Sequence, residues 1–208
     1  MKRHASLRSV AMLQRRRVMR LGLGAAALLL AACNLNKPNF SSVDVTGADY
    51  AKGFALSDHN GQQRQLSDFA GKVVVMFFGY TQCPDVCPAT MIELAEVKKL
   101  LGADGARLQA LFVTLDPERD TPELLQAYMV NFDPMFLALR PTLEQLPLLA
   151  KDFKIYYKKV AGKSSDSYYT MDHSAGSYIF DTKGQLRLFT RYGSGAPVLA
   201  ADIAQLLE

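Results

Sequence analysis

Two periodicities divide this chain, and the longest purely apolar run in its middle is Val73-Val-Val-Met-Phe-Phe-Gly79. An uncharged run of β-branched and aromatic residues predicts a strand buried on both faces. From Pro88 the spacing becomes helical: residues 88–101 place Met91, Leu94, Val97 and Leu101 on one stripe. Proline has no N–H to donate, and its ring clashes with the carbonyl four residues back. Pro88 therefore fits the first helical position, with Cys87 at or beside the N-cap. Cys83 falls about one turn upstream, in an irregular or 3₁₀-like loop.

The same reading extends along the chain. Residues 53–58 and 63–66 predict two short strands around the turn His59-Asn60-Gly61, where His59 is a solvated turn residue. Residues 107–115 form a second apolar strand, and strand, helix, strand at this spacing predict a parallel β-α-β unit. The loop Asp116-Pro-Glu-Arg-Asp-Thr-Pro122 follows. Asp120 or Thr121 can cap a helix that begins at Pro122 and runs to about residue 131. The loop leaves the carboxyl end of a parallel strand, so it can also form a charged rim beside the cysteines. A short strand at 135–139, a helix at 142–153 capped by Thr142 and interrupted early by Pro147, and a strand at 155–160 come next. After a polar loop at 161–167, residues 177–180 and 185–190 make a hairpin, and 196–207 an amphipathic helix.

Composition changes the picture at the amino end. Residues 1–20 hold seven Lys/Arg and no acid, and an uncharged run at 21–32 is too short for a spanning helix, which needs about 20 residues. Together they read as the n- and h-regions of a signal peptide over residues 1–32. Leu30-Ala-Ala-Cys33 resembles the lipobox of bacterial lipoproteins, which implies cleavage before Cys33 and lipidation of its sulfur. Gln14-Arg-Arg-Arg-Val-Met-Arg20 is loosely similar to a twin-arginine export signal. Residues 33–49 are then a lipidated cysteine and polar tether, and 50–208 the folded domain, held at the cell membrane on its extracytoplasmic side. Without residues 1–32 the chain has 17 basic and 20 acidic residues, so the formal net charge of +4 becomes −3. That balance gives no basis for nucleic-acid binding.

Once Cys33 is assigned to lipid, Cys83 and Cys87 are the remaining pair in an oxidising compartment. A thiol at a helix N-terminus faces the positive end of the peptide dipoles, which favours thiolate. At a spacing of four the two sulfurs can close a redox disulfide or grip one soft cation. Two strands, a helix, a strand, a helix, then a terminal hairpin and helix is the order of a thioredoxin-like α/β fold, a central mixed sheet flanked by helices, with an N-terminal β-hairpin extension. In that fold the segment before the terminal hairpin, here Thr170-Met-Asp-His-Ser-Ala175, packs beside the cysteines. The resemblance therefore predicts that His173 faces them, where related reductases carry a cis-proline. Two thiolates and an imidazole suit Cu(I), with imidazole serving Cu(II) as well, whereas zinc would want a fourth ligand or water. Asp172 is the candidate to orient the His173 ring.

Three segments taken together, Phe78-Gly-Tyr-Thr-Gln-Cys-Pro-Asp-Val-Cys-Pro88, Asp116-Pro-Glu-Arg-Asp-Thr-Pro122 and Asp172-His-Ser174, resemble the three signatures of the Sco/SenC family, in that order. The resemblance covers about residues 50–208. It implies a membrane-tethered metallochaperone, not an enzyme, that holds copper through Cys83, Cys87 and His173. Its implied partners are the copper-bearing subunit of cytochrome c oxidase or another copper chaperone. Many members use a transmembrane helix where this chain has a lipobox. A dithiol reductase that keeps an acceptor's cysteines reduced fits the same two thiols, and a peroxidase or redox sensor has less to support it.

Overall fold

The apolar runs form the centre of one mixed sheet. The computed structural model describes residues 38–162 and 169–208. Its sheet follows the chain as β1 (Val43–Asp44), β2 (Ala55–Asp58), β3 (Gln63–Gln65), β4 (Val73–Gly79), β5 (Leu108–Thr114), β6 (Leu137–Arg140), β9 (Gly176–Phe180) and β10 (Leu186–Arg191). In space the order is β1-β10-β9-β4-β5-β6-β2-β3. A separate two-stranded ribbon pairs β7 (Tyr157–Ala161) with β8 (Tyr169–His173). Every residue of β4 and of β5 is buried. The two pair in parallel over their full length, Val73 opposite Leu108 and Gly79 opposite Thr114. Strands covered on both faces gain from side chains without charge, which is why these runs do not alternate.

Among the described residues four α-helices flank the sheet: α1 (Val86–Leu100), α2 (Pro122–Met129), α3 (Gln145–Asp152) and α4 (Ala196–Leu207). On α1 the buried positions Cys87, Met91, Leu94 and Val97 lie on one stripe facing the sheet. Thr121 caps α2, its hydroxyl accepting from Leu124 N–H, with Pro122 at the first helical position as expected. Thr142 and Gln145 form a reciprocal cap ahead of α3, and Pro147 lies in the first turn of that helix. The arrangement is the thioredoxin-like one with its β2–β3 hairpin extension.

Three expectations need correction. Pro88 is the third residue of α1, not the first, because Asp85 is the N-cap and Cys87 is already helical. None of the first three helical N–H groups has an intrahelical partner, so Pro88 is accommodated there as readily as at the start. The tether does not extend to residue 49. Val43 and Asp44 pair with Phe189 and Leu188, and Phe40 and Val45 pack against the core. The amides of Ser41 and Ser42 donate at 2.8 Å each to the carboxylate of Asp202, which is buried on α4. A buried carboxylate needs donors, and two successive backbone amides supply them. The strand expected at 155–160 forms as Tyr157–Ala161, two residues later at its start, and pairs with the segment carrying His173. The loop at 163–167, the signal segment and Cys33 lie outside the described residues. No helix among the described residues is long and apolar enough to cross a membrane.

Candidate metal centre

Topology explains why residues so far apart in sequence meet. The cysteine loop leaves the carboxyl end of β4. Strand β9 runs antiparallel to β4, with Ser177 opposite Phe77, so the residues just before β9 arrive at that same end. Those residues are His173, Ser174 and Ala175. The Nε2 of His173 comes within 3.6 Å of Cys87 Sγ, and the ligand atoms of Cys83, Cys87 and His173 all lie within 4.8 Å of one another. The structure thus brings together the three side chains singled out in the sequence.

Each is held differently. Cys87 is fully buried against β4, in a pocket left by Gly79. A Cβ built on that glycine would stand 2.7 Å from Cys87 Sγ, 2.9 Å from Phe77 and 3.0 Å from Phe112. Cys83 is half-buried. The ring of His173 meets the edges of Phe77 and Tyr80, with centroids 6.2 and 6.0 Å away. Its Nδ1 lies 2.9 Å from the carbonyl of Ser174, which places Nε2 toward the sulfurs. Ser174 O therefore takes the orienting role expected of Asp172, whose side chain is exposed on β8 opposite Lys158.

The two cysteines, both free thiols, are electrostatically unequal. The Cys87 thiol donates toward the Cys83 sulfur, and the N–H groups of Asp85 and Cys87 at the start of α1 point there too, with His173 nearby. These donors outweigh partial burial and bring Cys83 from the ordinary thiol value of 9.0 down to about 5. Cys87 moves up, because it gives its hydrogen bond to Cys83 and is buried. The positive end of α1 therefore serves Cys83, not the helical Cys87 as the N-cap placement implied.

The loop at 116–122 contributes more than a helix cap. Asp120 is fully buried and accepts from the hydroxyl of Thr114 at 2.5 Å and from the hydroxyl of Thr81 at 2.6 Å. The Thr81 N–H donates to the same carboxylate at 3.2 Å. Burial pushes this carboxyl up despite the donors facing it. Asp116, also buried, accepts from Arg119 Nε and, at 2.8 Å, from the hydroxyl of Tyr169. Arg140 at the end of β6 supports the loop from below, donating to the carbonyls of Asp120 and Pro117. Sequence reasoning placed Arg119 only within a charged rim beside the cysteines and did not single out Thr81, Gln82 or Tyr169 as parts of the site. The charged motif after β5 was the available signal, since only folding shows that its acids turn inward. His59, which is not part of the site, is not a freely solvated turn residue either: its Nδ1 accepts from the Ala138 N–H at 3.0 Å.

Comparison with known proteins adds an independent line. The SCO1/SenC family model matches residues 44–208. A SCO2-like protein of Rickettsia felis is 32% identical over 167 residues, spanning 79% of this chain and 82% of its own. Among solved structures, copper-bound ScoI of Bradyrhizobium japonicum is 36% identical, covers 73% of this chain and 96% of its own, and superposes with a TM-score of 0.66. BsSco, a member of the Sco family of cytochrome c oxidase assembly proteins in which a disulfide switch was identified, is 18% identical with a TM-score of 0.60. It covers 80% of this chain and 96% of its own, and shares the fold.

Proposed function

The chain belongs to the SCO1/SenC family, and on that premise we propose that it carries copper for the assembly of cytochrome c oxidase, with Cys83, Cys87 and His173 as the ligands. The observation that supports this most directly is the convergence of two sulfurs and one imidazole within 4.8 Å. Two soft donors and one borderline donor favour Cu(I), and imidazole keeps Cu(II) accessible. Both sulfurs must be reduced to serve. Closing the Cys83–Cys87 disulfide removes two of the three ligands, so thiol redox state gates loading.

Exposure suggests the order of transfer. His173 and Cys83 reach solvent whereas Cys87 is buried. An acceptor ligand can displace the outer two in turn, with Cys87 letting go last. The acceptor is the copper-bearing oxidase subunit or another copper chaperone. Placement on the outer side of the cell membrane through lipid on Cys33 belongs to the same proposal, and Cys33→Ser should move the protein from the membrane to the soluble fraction.

The test is X-ray absorption of the reduced full chain after copper loading, which reports the element and its sulfur and nitrogen ligands. Two sulfurs and one nitrogen are expected, and His173→Ala should abolish stable binding while the disulfide still forms. A His173→Ala protein that held copper normally would overturn the assignment.

The inequality of the thiols supports a second role. The low-pKa Cys83 thiolate can attack an acceptor disulfide, releasing one acceptor sulfur as thiolate and forming a mixed disulfide. Cys87 then displaces the second sulfur and gives up its proton. Two electrons pass to the acceptor, which leaves as a dithiol, and Cys83–Cys87 remains oxidised. Failure of the reduced protein to exchange with an acceptor disulfide peptide would remove this role without touching copper binding.

A further inference from the structure

The arm that carries His173 is not hydrogen-bonded into the eight-stranded sheet. β7 and β8 pair only with each other, in register from Tyr157–His173 to Ala161–Tyr169. At the base, Ser174 N–H donates to Tyr156 O, and Tyr156 N–H donates to Ser174 Oγ, each at 3.0 Å. Farther out, the ribbon is attached through the loop at 116–120. Lys159 on β7 pairs with Glu118, and Tyr169 on β8 donates to Asp116. That loop holds His173 over the sulfurs together with Met171 of β8, which is buried in the core, and the rings of Phe77 and Tyr80.

One guanidinium joins all the parts. Arg119 Nε donates to Asp116, while its Nη1 donates both to Tyr169 O at 2.9 Å on the histidine arm and to Gln82 Oε1 at 3.0 Å, next to Cys83. Its Cζ lies 3.5 Å from the centroid of the Tyr169 ring and 5.9 Å from that of Tyr80, whose ring meets His173 edge-on. The side chain is 17% exposed and its carboxylate partner 1%. The third nitrogen, Nη2, is buried and has no hydrogen-bond partner among the described residues.

We infer that Arg119 is a latch: it positions the His173 arm against the cysteine loop, and its release lets the imidazole leave first. This rests on the copper-carrying reading above. Arginine is specific to the task because one planar fork reaches a carboxylate, a carbonyl and an amide oxygen while stacking on Tyr169. A lysine supplies the charge but not that geometry.

The test uses the full-length reduced protein and copper alone, with wild type as reference. Arg119→Gln and Arg119→Lys should both release copper to a chelator faster than wild type, by about 10–100-fold, the range for lost outer contacts to a metal ligand. Their copper X-ray absorption should show the nitrogen contribution weakened with both sulfurs kept. Tyr169→Phe, which loses the bond to Asp116 but retains the ring and the carbonyl, should fall between. Thermal unfolding, read in parallel, separates a misfolded variant from a loosened arm, and Tyr169→Phe carries the test if the arginine variants do not fold. Release rates and nitrogen signal matching wild type in folded variants overturn the latch, as does rescue by lysine. If wild type itself shows no nitrogen ligand, the copper reading fails first, which is a different result.

Discussion

Gly79 is the position where packing and metal chemistry meet most tightly, so Gly79→Ala is an informative perturbation. The new methyl would stand 2.7 Å from Cys87 Sγ, 2.9 Å from Phe77 and 3.0 Å from Phe112, all essentially buried. Heavy atoms rest at about 3.5–4.0 Å, so the sulfur contact falls short by roughly 1 Å and something must move. Gly79 is not among the residues with positive φ, so the conflict is steric and not one of backbone strain. Overpacking a closed core costs about 1–3 kcal/mol, against which alanine regains about 0.4–1 kcal/mol by restricting the unfolded chain. The net loss is about 1–2 kcal/mol, or a drop in Tm of about 2–8 °C for a domain of this size.

The sulfur contact is the shortest of the three, and moving it disturbs a separation of 3.6 Å from His173 Nε2. Copper affinity should therefore fall by about tenfold or more, equivalent to about 1.4 kcal/mol. Calorimetric unfolding and copper competition titration measure the two effects. The reasoning is refuted if Gly79→Ala melts and binds copper as wild type does. A double-mutant cycle sharpens it: in a Cys87→Ala background the Gly79→Ala stability penalty should shrink by more than about 0.5 kcal/mol, because the nearest clashing atom is gone. An unchanged penalty would place the clash on the aromatic rings.

The remaining expectations concern charge. Cys83, brought down to about 5, should be alkylated by iodoacetamide with a half-maximal rate near that pH, while Cys87 stays unreactive into alkaline solution; mass-spectrometric site mapping distinguishes them. The same depression has a sign for stability: the contribution of Cys83 is complete above its unfolded value near 9 and disappears as the pH falls through about 5, so a denaturation series in the reduced protein should show stability climbing across that window. Replacing Asp120 by Asn puts an amide where three donors converge from Thr81 and Thr114, and should cost about 1–3 kcal/mol in chemical denaturation; an unaltered midpoint would mean that the carboxylate is not what ties the cysteine loop to β5.

How much of this was legible in the sequence depends on the range of the physics involved. The central strands, α1 and the caps at Thr121 and Thr142 are local, set by side-chain period and by residues within a turn of one another, and they fall where expected. The start of α1 was off by two residues because the first three helical N–H groups are equivalent to proline. Strand β1 was missed because two residues paired at a sheet edge leave no periodic signal, and their anchor, Asp202, lies about 160 residues away. Of the β7–β8 ribbon the strand at 155–160 was expected, but β8 was missed, because only Met171 of its five residues is buried and the segment lacks the apolar contrast that marks a core strand.

The same distinction explains why three ligands could be named from the chain while their supports could not. A thiol pair before a helix and a histidine before a hairpin carry their chemistry in their residue types. Asp116, Arg119 and Asp120 do not: in a polar loop, an acid that caps a helix, one that faces solvent and one buried under two threonine hydroxyls look alike. What separates them is that β5 ends beside β4, so that Leu115 N–H donates to Gly79 O at 2.7 Å and the loop after it must pass the cysteines. That single registration turns Asp120 toward Thr81 and Arg119 toward both Gln82 and Tyr169. The loop therefore couples the two halves of the site through contacts that exist only when β4, β5 and β9 are assembled. It follows that a ligand set transplanted onto a looser scaffold would keep its residue types and lose its geometry, because the loop ties down both the cysteine turn, at Thr81 and Gln82, and the strand that carries His173, at Tyr169.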